Sequence, residues 1–87
     1  MDEVVCRAQN LHLREWDGEY VIYNERNDRT HLVTGVAAQI FAGLEHRSCD
    51  ASAIVNAMIS AGAAPEDAEQ SLAYVRELEL VETRRAS

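Results

Sequence analysis

Leu11-His12-Leu13-Arg14-Glu15-Trp16, then Asp17-Gly18, then Glu19-Tyr20-Val21-Ile22-Tyr23 is the stretch on which the fold turns. The first run alternates apolar and polar residues, the period of a half-buried strand. Asp-Gly between two such runs predicts a tight hairpin, because a primed turn needs positive φ at both central positions. Asn24 to Arg29 is polar and reads as a second turn. Asn27 and Asp28 are its candidates for left-handed backbone, since their short side chains tolerate it. Thr30-His31-Leu32-Val33 reads as a third strand, which completes an antiparallel meander.

Downstream the period becomes helical. Thr34 suits an N-cap, where its hydroxyl can accept from the free N–H groups of the first turn. Ala37, Ile40, Phe41 and Leu44 then fall on one helical face. Asp50 is placed to cap a second helix with Ile54, Val55, Met58 and Ile59 on its buried side. Gly62 suits a C-terminal cap, and Pro65 the first position of a third helix, where no N–H is needed. Glu66 and Asp67 sit at that helix's positive end. Ala68, Ser71, Leu72, Val75 and Leu78 form its inner face, the helical reading runs on toward Glu82, and Leu80-Val81 supplies an apolar closing segment.

The expected fold class is α+β, a winged helix-turn-helix with a three-stranded antiparallel sheet followed by three helices. Residues 11–82 form the domain, residues 1–10 an N-terminal extension and residues 83–87 a frayed tail.

An 87-residue chain is one domain. At this size roughly 60–65% of the unfolded surface is buried, enough for one modest core. Hydrophobic residues make up 47% and aromatic residues 6%, so aliphatic side chains must fill that core. No run of about 18 apolar residues predicts a membrane span. The start, MDEVVCRAQN, lacks a signal peptide's basic and apolar regions, which points to the cytoplasm. In that reducing compartment Cys6 and Cys49 are expected as thiols.

Chemical motifs are sparse. The chain has no Gly-rich phosphate loop, GxSxG, CxxC or HExxH. The reading is therefore non-enzymatic, with no cofactor and no metal. Of the His and Cys residues only His46 and Cys49 stand at a metal-ligand spacing, one pair where zinc needs more. The net charge is −7 and all eight basic residues are Arg. The third helical stretch carries Glu66, Asp67, Glu69, Glu77, Glu79 and Glu82 against Arg76. Such a helix would be repelled by the phosphates flanking a DNA groove, so no nucleic-acid partner is expected.

Several pieces together resemble the PqqD-like family of peptide chaperones, the recognition elements of ribosomal peptide modification pathways. They are REWDGEYVIYN (Arg14 to Asn24), THLVTGVAAQIF (Thr30 to Phe41), the Asp50 helix with Ile54-Val55, and VRELELVE (Val75 to Glu82). The nearest look-alikes are the small PqqD-like proteins that accompany an HPr-kinase-related protein. Where the family usually has Asp-Gly after the first helix this chain has His46-Arg47; where it often has Gly, this chain has Asp28 and Glu79.

The resemblance implies a leader or precursor peptide bound as an added strand beside the third strand, walled by the third helix and presented to a modifying enzyme. The edge would be Thr30, His31, Leu32 and Val33, and the wall Ser71, Tyr74 and Leu78. The Glu69–Arg76 side of the same helix is the alternative wall. A homodimer stays open. Two other readings stand beside this one: a winged-helix transcriptional regulator, and a structural adaptor docking on a kinase-like partner.

Overall fold

The computed structural model describes residues 3–85 and shows an α+β chain with two small antiparallel sheets and three helices. The meander forms as its turn residues dictate. Strands β2 (Leu11–Trp16), β3 (Glu19–Asn24) and β4 (Arg29–Val33) pair in sequence order. Asp17 and Gly18 take φ of 53° and 78°, as the primed turn requires. In the second turn Asp28 is left-handed at φ 57°. Asn27 instead bends the chain with its side chain, whose oxygen accepts from the Arg29 N–H at 3.2 Å.

Helices α1 (Gly35–Gly43), α2 (Ala51–Ser60) and α3 (Pro65–Glu77) follow. Thr34 and Asp50 occupy the N-cap positions, but neither side chain makes a capping hydrogen bond. Pro65 opens α3 as expected. Gly62, at φ 109°, ends α2 in a Schellman turn, with Ala63 N–H donating to the Met58 carbonyl. Helix α3 ends the same way, earlier than the sequence reading had it. Glu79 takes φ 62°, and Leu80 N–H reaches back to the Val75 carbonyl at 3.0 Å. Leu80 and Val75 are both fully buried, the apolar contact that accompanies this cap.

The chain ends correct the expectation. Residues 3–7 of the supposed extension form β1 (Glu3–Arg7), and residues 83–85 of the supposed tail belong to β6 (Val81–Arg85). These two strands pair along their length, with Val5 opposite Thr83, and a two-residue strand β5 (Cys49–Asp50) pairs on the other side of β1. Residues 1, 2, 86 and 87 of the extension and tail lie outside the described residues. The cause is burial: Val5 is 0% exposed and Val81 sits in the same core, so the two ends close over apolar surface. The expected single sheet is thus two.

Phe41 is at the centre. Tyr20 meets it edge-on with centroids 5.2 Å apart. Arg7 of β1 lies over the Phe41 ring at 4.1 Å and donates from Nε to the Phe41 carbonyl at 3.0 Å, tying the N-terminal strand to α1. Ile22, Val33, Ile40, Leu44 and Leu80 are also fully buried. Val55 and Met58 pack only at its margin, and Ile59 is exposed. No helix among the described residues is long and apolar enough to cross a membrane.

Candidate functional site

Alternation decides what each face of the meander offers. Tyr20 and Ile22 of β3, with Val33 of β4, point into the core. Val21 and Leu32, paired across β3 and β4, point out and stay exposed. Strand β4 is the edge of its sheet and has no strand on its outer side among the described residues. Its free backbone groups are a template for another strand.

Beside that edge runs α3. Between them lies an open groove, with Leu32 and Thr34 on one bank and Ser71 and Tyr74 on the other. Val36 and Ala37 of α1 line its floor, and Asp67 and Gln70 extend the helical bank. Leu32 is 60% exposed and Tyr74 44% exposed. Two large apolar side chains from distant parts of the sequence thus share one groove without covering each other.

The expected site residues divide. Leu32, Ser71 and Tyr74 come together in the groove. Thr30 is exposed further back along β4, opposite Tyr23. His31 is half-buried opposite Ile22, and its Nε2 is buried without a hydrogen-bond partner. Val33 is core, so it can offer only backbone. Leu78 does not line the groove: the helix has stopped at Glu77, and Leu78, its C-cap, packs against the core. Sequence reasoning missed Asp67 and Gln70 as groove residues. The helical wheel places them near Tyr74, but only the position of β4 shows that this side faces a free strand edge.

The Glu69–Arg76 side of α3 faces α2 instead. There Glu69 and Arg76 line a second groove with Ser52, Val55 and Asn56. All its described lining residues are helical, and the Arg76 guanidinium pairs with Glu3 at 3.1 Å.

A third cleft opens between α1 and α2, where Arg47 donates to the Cys49 sulfur from Nε and Nη2 at 3.3 and 3.2 Å. Among the described residues no histidine or carboxylate lines it. Both cysteines are free and half-buried. Among the described residues no three His, Cys, Asp or Glu side chains stand together as metal ligands would.

No family model, curated protein or solved structure matches the chain.

Proposed function

We propose that this domain is a non-catalytic, PqqD-like peptide chaperone that binds a leader or precursor peptide as a strand added to β4. The observation that carries the reading is the joining of a free strand edge to the apolar pair Leu32 and Tyr74 in one groove. Strand addition draws affinity from the main chain and selectivity from side-chain pockets, and this groove offers both. In this reading α2, the Ala61–Ala64 turn and α3 are a helix-turn-helix, and the β3–β4 hairpin is its wing. Left-handed backbone at Asp28 and Glu79, where the resembling family often has Gly, is in keeping with it.

The exposed face of α3 argues against the regulator. Glu66, Asp67, Glu69 and Glu77 are all exposed there, and its one cation, Arg76, is tied to Glu3. Duplex DNA would meet unpaired negative charge. The resemblance makes a modifying enzyme or an HPr-kinase-related protein the recipient of the peptide. Trp16, 77% exposed at the end of β2, offers that partner an apolar surface that does not line the groove. The two free thiols fit a cytoplasmic setting.

The test is a selection from a displayed library of random linear dodecapeptides, with binders measured on the parent, Leu32→Pro and Tyr74→Ala. Proline removes one N–H of the edge and restricts the preceding residue, so binding should be abolished. Circular dichroism establishes that the sheet survives. Tyr74→Ala should weaken binding by about 1–2 kcal/mol, the scale of a lost aromatic anchor. Binders indifferent to both changes would place the peptide elsewhere.

A further inference from the structure

Among the described residues, Asp67 is the single charged one lining the groove between β4 and α3. It is exposed and takes part in no ion pair among the described residues. Both Glu66 and Asp67 are favoured in the first turn by the helix dipole, but only Asp67 stands on the groove side. The rest of the lining is apolar or neutral, so an occupant meets one fixed negative charge and otherwise apolar and neutral polar surface.

The direction of the helix places that charge. The end of α3 is tied to the end of β3, because the Asn24 amide donates to the Glu79 carbonyl. Asn24 pairs with Arg29, the first residue of β4. Helix α3 therefore runs back along the groove against the direction of β4, and its first turn, with Asp67, lies at the Thr34 end. A strand added antiparallel to β4, the pairing that is more stable per residue, enters with its N-terminal part beside Asp67. Asp67 and Tyr74 are seven residues apart on α3, about 10 Å along its axis. An extended peptide covers that span in about three residues.

Resting on the peptide-binding reading above, we infer that the groove selects peptides with a Lys or Arg side chain at Asp67, followed two to four residues later by a large apolar side chain at Leu32 and Tyr74. The basic residue fixes register and direction. The apolar residue supplies the buried anchor.

The sequences recovered from the dodecapeptide selection test this directly. The parent should enrich Lys or Arg two to four positions before a large apolar residue. Asp67→Arg should enrich Asp or Glu at that position and keep the apolar one. Asp67→Asn, which leaves the helix start intact, should lose the preference for a basic residue. An N-acetylated synthetic binder should lose about tenfold in affinity on Lys→Ala, and a similar factor on Asp67→Asn. Acetylation excludes the free terminus as the cation. Binders that depend on Tyr74 but show no basic preference, or one unchanged in Asp67→Arg, would overturn this inference and leave the peptide groove standing. No enrichment at all, or binders indifferent to both Leu32→Pro and Tyr74→Ala, would overturn both.

Discussion

The side-chain amide of Asn24, at the end of β3, donates to the main-chain carbonyl of Glu79 at 3.2 Å, joining the meander to the turn between α3 and β6. Asn24 is 1% exposed, the one buried polar side chain among the described residues. Its oxygen accepts from the Arg26 N–H at 2.9 Å. Both ends of the amide are thus used, which is what permits a polar group at that depth. The bond also aligns α3 against β4, and so shapes the groove.

Asn24→Ala should therefore cost about 2–3 kcal/mol, because it strands the Glu79 carbonyl and the Arg26 N–H. Urea unfolding should show a lower midpoint with an unchanged slope. A loss below about 0.5 kcal/mol would mean that water replaces the amide without penalty.

Glu79→Gly should stabilise the protein. Glu79 holds φ 62° with its side chain exposed, and a Cβ in left-handed backbone costs roughly 1–2 kcal/mol. Part of the relief is lost to the freer unfolded chain, leaving about 0.5–1 kcal/mol. Thermal melts would show it as a rise in Tm, and a fall would mean that the turn does not hold this conformation.

Val5→Ala separates a strand from a loose extension. Val5 is fully buried in β1, so the change should cost about 2 kcal/mol in denaturant unfolding. A residue in a loose extension would cost nothing.

Tyr23 supplies a pH signature for the second hairpin. Its phenol donates to Asp28 Oδ1 at 2.6 Å. That hydrogen bond, then desolvation, then the charges of Asp28 and Glu25 raise its pKa above the ordinary 10.0. The folded value exceeds the unfolded one, so the contribution is fully present below pH 10.0 and is lost as pH rises through the folded value. In an ultraviolet titration of tyrosinate, the step that vanishes in Tyr23→Phe should lie above 10.0 in the parent. It should move down in Asp28→Asn, which tolerates the left-handed turn but carries no charge. An unmoved step would remove Asp28 as the cause.

The chain itself wrote the parts of this fold whose signals are local. Asp17-Gly18 set one hairpin and Asp28 the other, because the left-handed backbone their turns need is available to few residues. Gly62 and Pro65 marked where α2 stops and α3 starts. Period-2 and helical alternation gave β2 to β4 and the buried faces of α1 and α3, including Phe41, Leu72 and Val75. Leu32 and Tyr74 were legible as site candidates, one on an edge strand and one on a helix flank.

Tertiary structure decided the rest. Strands β1 and β6 carry weak local patterns, and each becomes a strand only because the other end of the chain comes to pair with it over the core. The stop of α3 at Glu77 has no glycine to announce it; burial of Leu80 against Val75 outweighs the strain at Glu79. Leu78, the C-cap, packs against the core on the inner face where its spacing from Val75 puts it. The helical wheel favoured the Tyr74 flank of α3 as the more apolar one over the Arg76 flank, but it could not show which of them faces a strand edge. That was decided when α2 came to lie along the Arg76 side and the β4 edge along the Tyr74 side, since a groove depends on what lies opposite a side chain and sequence encodes that only through the folded whole.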